Sequence, residues 1–433
     1  MSGLRPSLGL THATAMVVGT IIGASIFVQA SEITKQLPSV SAIVLAWLAA
    51  GVLTLAGALV CAELASAFPE TGGVYVFLKE AYSPALGFLW GWAMFWSMHS
   101  GIIAAIATVF ARYAAQFFPL TDVGLRLAAV CVIVVLSAVN YVGVRHGGFV
   151  QNVFTAAKVL AIAGIVAAGL AWHGPAPATP VAAGDVSLRG LVLAIAAGLF
   201  AYGGWHMVTY TAGETKDPAR TIPRALLLGT LIVTACYAGL NAIYLRVLPL
   251  DAVRASTRVA ADAADVLLGG GGASLMAALV MVSTFGAVNG IILVGPRVYY
   301  SMARDGLLFR SFAAVHPTFG TPHRAIVLQA IWSSALALTN TYGALFSRVI
   351  YTEWIFFAFM AAGLIRLRRR PGYRPTYRIA GYPAVPVAFV VASIVIAAMQ
   401  MSASPRDSLI GMAIVIAGLP VYGWWSQSRS DIA

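Results

Sequence analysis

Charged residues are scarce in this sequence. Asp, Glu, Lys and Arg together make up 10% of the 433 residues, whereas hydrophobic residues make up 60%. A soluble domain of ordinary composition is about one quarter charged and less than one half apolar. The composition therefore excludes an ordinary soluble domain. It also excludes a single anchor on a soluble body, because apolar blocks of about 20 residues recur along almost the whole chain.

Cysteine is also rare. The three cysteines, Cys61, Cys131 and Cys236, all fall inside apolar blocks. No pair has the spacing of a metal site, and nothing indicates a disulfide framework. We therefore expect no metal and no cofactor. The N-terminus lacks a charged segment followed by a short cleavable apolar stretch, so we expect the first block to be retained.

The apolar blocks lack the alternating pattern of a membrane β-strand. Only helices and closed barrels satisfy their backbone groups in a bilayer, so the blocks predict an all-α polytopic membrane protein. No loop is long enough for a soluble domain. The predicted spans are residues 10–33, 41–67, 84–118, 124–143, 148–172, 188–212, 223–248, 272–302, 323–341, 344–366, 382–401 and 408–425.

The net charge of +12 would suit a nucleic-acid-binding protein, but its distribution suits a membrane protein better. With twelve spans and an inner N-terminus, the inner loops carry the excess of Lys and Arg. We therefore expect a multi-pass protein of the cytoplasmic membrane with both termini in the cytoplasm. The densest basic group falls in one inner loop and comprises Arg366, Arg368, Arg369, Arg370, Arg374 and Arg378.

Two spans carry glycines where a membrane helix could be interrupted: Gly19 and Gly23 in the first span, and Gly203 and Gly204 in the sixth. Transporters built from inverted repeats place paired helix breaks at their binding site. If five spans repeat as the next five, we expect repeats at residues 10–172 and 188–366, with two added spans in residues 382–425. The alternative is that these glycines only allow close helix packing.

Interrupted helices expose backbone dipoles. Amide N–H groups at a half-helix N-terminus suit a carboxylate, and carbonyl groups at a half-helix C-terminus suit an ammonium group. Two broken helices could therefore bind a zwitterion with backbone groups alone.

Lys158 lies near the middle of the fifth predicted span, where a lysine costs about 2.5–3.5 kcal/mol to insert. No acid lies one helical turn away, so the carbonyl groups of a broken helix are its candidate partners. A tethered cation there could replace a bound metal ion or exchange a proton. A structural pairing with a distant acid is the alternative.

Four further polar side chains fall within predicted spans. Glu63 and Glu353 could serve as proton relays, but helix packing is the favoured interpretation of both. His99 and His206 each suit a satisfied hydrogen bond better than a ligand role. Because His206 follows the Gly-Gly-Trp segment directly, it is also a candidate for pocket specificity.

Several segments, taken in order, resemble the amino acid–polyamine–organocation superfamily and, within it, the L-amino acid transporter branch. The resemblance covers nearly the whole chain. The segments are residues 19–27, Glu63 with residues 69–75, residues 200–205 with 214–223, Asn241 with Tyr244, residues 283–286 with 289–290, residues 304–306 and residues 377–386.

This resemblance implies a LeuT-type fold of about twelve helices, with a five-plus-five inverted repeat and two extra C-terminal helices. It implies a gate at Phe200, and an ion-site substitute at Lys158 that makes the carrier sodium-independent. Asn241 and Tyr244 would support closure. The implied substrate-binding residues are Ile21, Ile22, Gly23, Ala24, Ser25, Phe200, Ala201 and Gly203.

One departure from the family pattern affects this site. The family usually has Gly-Ser-Gly where this chain has Gly23-Ala24-Ser25. Loss of a hydroxyl at Ala24 removes one carboxylate donor, and the Ser25 hydroxyl either compensates for it or narrows the pocket. The loop at residues 119–123 has no cysteine, so we expect no disulfide-linked heavy chain.

The leading hypothesis is a sodium-independent carrier that exchanges or facilitates neutral L-amino acids by alternating access. Proton-coupled amino acid uptake is the main alternative. Polyamine transport is disfavoured, because neither intramembrane acid lies in a broken helix. An enzyme is disfavoured, because no nucleophile–base or metal motif is found. The expected partners are the amino acid and membrane lipid, with no nucleic acid.

Overall fold

The computed structural model describes residues 4–174, 185–339 and 342–430. We number the membrane helices α1 to α12 and give the halves of interrupted helices the letters a and b. Their bounds are α1a Leu10–Ile21, α1b Ser25–Gln36, α2 Val40–Ala67, α3 Pro84–Ala114, α4 Asp122–Val142, α5 Val144–Ala171, α6a Leu188–Ala201, α6b Trp205–Glu214, α7 Pro218–Val247, α8 Gly272–Arg304, α9 His323–Thr339, α10 Tyr342–Leu367, α11 Ala384–Ala403, and α12 Pro405–Ile416 continued by Gly418–Ser430.

Within the described residues, nine helices are long and apolar enough to cross a membrane: α2 to α8, α11 and α12. The other three predicted spans correspond to the interrupted α1, to α9 with 17 residues, and to α10, which carries Glu353. The prediction of an all-α polytopic membrane protein is confirmed. The predicted end of the ninth span, at residues 340–341, lies outside the described residues.

α7 and α3 show local features that the predicted spans do not contain. α7 begins at Pro218 instead of residue 223, since a proline is well suited to the first position of a helix, where its missing N–H is not needed. α3 contains a π-helical segment at Met94–Met98 and ends at Ala114, before the predicted end at residue 118.

Helices five places apart in the chain pack together: α2 on α7, α3 on α8, α4 on α9, and α1b on α6a. The packing of α5 on α8 has its counterpart in the packing of α10 on α3. This is the pattern expected of two halves related by an inverted repeat. The repeat boundaries at residues 10–172 and 188–366, and the separate status of residues 382–425, stay predictions.

Glu63 anchors α2 to the segment that follows α10. Its buried carboxylate accepts hydrogen bonds from Arg368 Nε at 2.7 Å and Arg368 Nη2 at 2.5 Å. It also accepts one from the backbone N–H of Ile379 at 2.7 Å. Charge-assisted bonds of this bidentate kind fix geometry strongly. The interpretation of Glu63 as a packing residue is confirmed.

Candidate functional site

The first helix is interrupted after Ile21. Ile22 is extended, with φ −73° and ψ 90°, and α1b starts at Ser25. The N–H of Gly23 donates to the carbonyl oxygen of Ile21 at 2.8 Å, which is a tight turn and not a helical hydrogen bond. No side chain among the described residues caps the N-terminus of α1b. Its first N–H groups are therefore available to a ligand.

The sixth helix is interrupted between Ala201 and Trp205, where α6b continues as a 3₁₀ helix. Gly204 has φ 103°, a left-handed conformation that favours glycine. A Cβ atom at Gly204 would lie 2.9 Å from the carbonyl oxygen of Thr20, so the two breaks touch each other. The predicted interruption of both helices is confirmed.

Tyr237 on α7 joins the two breaks. Its hydroxyl lies 2.9 Å from the carbonyl oxygen of Ala201 and 3.1 Å from that of Ile21, and it can donate to either. These carbonyls stand at the C-terminal ends of α1a and α6a. Both half-helix ends therefore converge on one hydrogen-bonding position.

Lys158 on α5 closes the other side of the α1 break. Its ammonium group donates to the carbonyl oxygens of Ile22 at 2.6 Å, Ser283 at 3.0 Å and Gly19 at 3.1 Å. The Ser283 hydroxyl donates to the carbonyl oxygen of Gly23 at 3.1 Å. The predicted partners of Lys158, the carbonyls of a broken helix, are confirmed. Its part in transport stays a prediction.

A cavity adjoins both breaks. The volume that the centres of water molecules can occupy is about 90 Å³. One water molecule needs roughly 10–15 Å³ of such volume. There is thus room for a small solute. The wall comprises Thr20, Ile21, Gly23, Ala24, Ser25, Gly101, Ile102, Ala105, Ile106, Val109, Leu199, Phe200, Gly203, Gly204, Trp205, Met207, Ile291, Glu353, Trp354 and Phe357.

The structure brings half of the predicted site residues to this wall and leaves the others behind it. Asn241 donates to the carbonyl oxygen of Tyr237 on its own helix at 2.9 Å. The Tyr244 hydroxyl is buried without a hydrogen-bond partner among the described residues. The residues on the wall are Ile21, Gly23, Ala24, Ser25, Phe200 and Gly203, and those behind it are Ile22, Ala201, Lys158, Asn241, Tyr244 and His206.

Neither Glu353 nor His206 has the surroundings that the sequence favoured, and His206, expected to make a satisfied hydrogen bond, has none among the described residues. Glu353, interpreted as a packing residue, lies on the cavity wall, while His206 is fully buried behind it. His206 Nε2 lies 3.6 Å from Glu353 Oε1. His99 is also fully buried, and its ring packs against Tyr210 at 5.6 Å. The pattern could not assign these roles, because it does not show how α6b and α10 are rotated.

A buried ion pair lies away from the cavity wall, where α6b meets α8. Arg297 donates from Nε and Nη2 to the two oxygens of Glu214, at 2.7 and 2.9 Å, and also to the carbonyl oxygen of Leu293. The N–H groups of Ser7 and Leu8 donate to the carbonyl oxygen of Glu214 at 2.8 and 2.9 Å. The N-terminal segment therefore seals this end of the bundle.

A second ion pair at this end joins the helix Val74–Ala81 to the end of α8. Lys79 Nζ lies 2.8 Å from Asp305 Oδ2. Partial burial acts to lower the pKa of Lys79, but the hydrogen bond and the negative charge of Asp305 outweigh it, so the pKa is raised. Lys79 is therefore charged throughout the physiological range.

Two residues of this arrangement, Tyr237 and Arg297, were not predicted from the sequence. An arginine within an apolar block was a usable signal, because intramembrane charges generally have a partner. A tyrosine within a membrane helix is ordinary, and nothing in the pattern distinguished Tyr237.

Comparison with known proteins agrees with this architecture. The chain is 33% identical over 426 residues to the serine/threonine exchanger SteT of Bacillus subtilis, covering 97% of each chain. It is 32% identical to the human large neutral amino acids transporter small subunit 2, covering 97% of this chain and 80% of that one. It is 29% identical to the human b(0,+)-type amino acid transporter 1, covering 97% and 88%.

The family model for amino acid permeases matches residues 8–420, which is almost the whole chain and includes both helix breaks and the cavity between them. The chain belongs to the amino acid permease family.

Proposed function

We propose that this permease is a sodium-independent secondary transporter that exchanges or facilitates neutral L-amino acids by alternating access. The observation that carries the proposal is the convergence of the Ile21 and Ala201 carbonyl oxygens on one position, 3.1 and 2.9 Å from a single hydroxyl. Two carbonyl dipoles that meet in this way suit an ammonium group.

The carboxylate of the same amino acid would lie at the N-terminus of α1b. Gly23, Ala24 and Ser25 line the cavity there, and no side chain among the described residues caps the helix. A helix N-terminus offers free N–H groups and a partial positive charge, which together suit an anion. The Ser25 hydroxyl is a further donor and would offset the missing serine at position 24.

Lys158 supports sodium independence. Its ammonium group already bonds three carbonyl oxygens at the α1 break, where a bound cation would need the same oxygens. We therefore propose Lys158 as the ion-site substitute. Phe200, which lies on the cavity wall between the two breaks, is the proposed gate.

The relatives support the substrate class and the exchange mode, since their names specify a serine/threonine exchanger and a transporter of large neutral amino acids. Proton-coupled uptake by the same site is the second candidate, favoured by the acid on the cavity wall. We further propose location in the cell membrane, with cytoplasmic termini and without a disulfide-linked heavy chain. We also propose that the protein is a transporter and not an enzyme.

The test uses purified full-length protein in liposomes that contain an unlabelled neutral amino acid. We expect rapid uptake of labelled amino acid, equal in sodium and choline buffers, and much slower uptake into empty liposomes. Cadaverine in place of the amino acids tests polyamine transport. Failure with all twenty amino acids would refute the proposal, and uptake that requires sodium would refute the role of Lys158.

A further inference from the structure

Glu353 is the charged residue on the cavity wall, considering all described residues that line it. The residue is 8% exposed, and its Oε1 atom has no hydrogen-bond partner among the described residues. A buried carboxylate oxygen without a donor is costly, so a donor is expected to reach it in some state of the carrier.

His206 backs Glu353 from the protein side. Its Nε2 atom lies 3.6 Å from Glu353 Oε1, and neither ring nitrogen has a hydrogen-bond partner among the described residues. Aromatic rings enclose the imidazole, including Phe357 at 4.9 Å and Trp90 at 5.8 Å between ring centroids. His206 has no direct access to the cavity, so any effect on a ligand would pass through Glu353.

Most other side chains on the wall are apolar, while Thr20 and Ser25 carry hydroxyl groups. Ile102, Ile106 and Val109 come from α3, while Trp354 and Phe357 come from α10 itself. An apolar pocket with one oriented acceptor distinguishes ligands by whether they carry a donor at that point.

The net charge of the Glu353–His206 pair further restricts which substrate side chains can bind. A carboxylate and an imidazolium ion, or their two neutral forms, both sum to zero net charge. Unpaired charge is disfavoured in this apolar interior, so the neutral total is the stable one. The matching side chain is therefore uncharged and ends in a hydroxyl or a carboxamide.

We propose that Glu353, oriented by His206, is the specificity-determining residue that binds a hydroxyl or carboxamide at the end of the substrate side chain. The inference rests on the proposed function and deepens it. It names a subclass of neutral amino acids, which the backbone groups at the two breaks cannot distinguish.

The experiment compares amino acids of similar shape as competitors of labelled exchange in proteoliposomes. The pairs are threonine with valine, asparagine with leucine, and glutamine with methionine. In the wild-type protein we expect the polar member to compete about tenfold or more better in at least one pair, since an unmet buried acceptor weakens binding by that order. In Glu353→Leu we expect this preference to vanish or reverse. Glu353→Gln, which keeps an acceptor oxygen, should retain part of it.

Thermal unfolding in detergent shows whether each variant is folded, and the wild-type comparison alone can overturn the inference. Equal competition within all three pairs, or a preference for lysine over every neutral amino acid, would overturn it. So would an unchanged preference in Glu353→Leu, or pH-driven uptake that Glu353→Gln abolishes, which would assign the carboxyl to proton coupling. Absence of any exchange by the wild-type protein would refute the proposed function, and this subsite with it.

Discussion

Individual side chains stabilise the break in α1, and Lys158 contributes three hydrogen bonds there. These bonds satisfy the hydrogen-bonding requirement of the buried carbonyl oxygens of Gly19, Ile22 and Ser283. In Lys158→Met, whose apolar side chain is one atom shorter, these oxygens lose their donor at a cost of about 1–3 kcal/mol for each buried group. We expect exchange to fall at least tenfold and the unfolding temperature to drop, as measured in proteoliposomes and by thermal unfolding in detergent.

The control for this change is Arg220→Ala. The Arg220 side chain is 70% exposed and lies 4.0 Å from Asp217. Exposed ion pairs of this kind contribute about 0–1 kcal/mol. Exchange and unfolding temperature should stay near those of the wild type. A Lys158→Met protein that matches this control would exclude the tethered-cation role.

Tyr237 gives a second prediction for one side chain, because its hydroxyl occupies the position proposed for the substrate ammonium group. Tyr237→Phe leaves the Ile21 and Ala201 carbonyl oxygens without this donor when no substrate is bound. We expect the empty variant to lose about 1–3 kcal/mol of stability. A bound amino acid supplies the missing donor. Thermal unfolding with and without saturating substrate should therefore show a larger ligand-induced shift in the variant.

Tyr244→Phe is the matched control on the same helix. The Tyr244 hydroxyl has no hydrogen-bond partner among the described residues, so its removal should not lower the stability and should leave the ligand-induced shift unchanged. Equal shifts in wild type, Tyr237→Phe and Tyr244→Phe would show that the substrate ammonium group binds elsewhere.

The helices themselves depend on where glycine is placed. Gly204 adopts φ 103°, and an added Cβ atom would lie 2.9 Å from the Thr20 carbonyl oxygen. An L-residue in a left-handed conformation costs about 1–2 kcal/mol before any steric overlap is counted. We expect Gly204→Ala to separate the two breaks, lowering the unfolding temperature and reducing exchange severely in the liposome assay.

Gly164→Ala tests the same substitution in an uninterrupted helix. Gly164 lies within α5, and its added Cβ atom would meet nothing within 4 Å. Alanine is favoured over glycine there by about 1 kcal/mol, so this variant should be as stable as the wild type or more stable. If Gly204→Ala were equally well tolerated, the contact between the breaks would not matter for transport.

The positions of the helix breaks could be predicted from the sequence, whereas the rotation of the helices about their axes could not. Glycine pairs and an isolated lysine are visible in an apolar sequence, so both breaks and the carbonyl partners of Lys158 could be predicted. The rotation of α6b, α7 and α10 could not, because helices that are apolar on most faces do not show which face is buried against protein. Tyr237 was therefore missed, and the position of Glu353 on the cavity wall was not predicted.

For the molecule as a whole, the cavity and the buried ion pair lie in different regions. The cavity adjoins the breaks, while the Glu214–Arg297 pair and the N-terminal segment close the region where α6b meets α8. Alternating access requires this seal to open while the cavity closes. Both side chains are almost fully buried, at 0% and 1% exposed, so neither can stay charged alone without a large cost.

The seal leads to a prediction that separates stability from transport. Arg297→Met alone leaves Glu214 buried and unpaired, so we expect a loss of about 3–5 kcal/mol in thermal unfolding experiments. The double variant Glu214→Leu/Arg297→Met removes both charges and should recover most of this stability, because an apolar pair of similar volume often replaces a buried ion pair without loss. It should nevertheless exchange amino acids several-fold more slowly. An apolar contact between α6b and α8 has a different stability from the ion pair, so the equilibrium between the closed and open states of this region would change. Recovery of both stability and full exchange would mean that the ion pair serves packing alone.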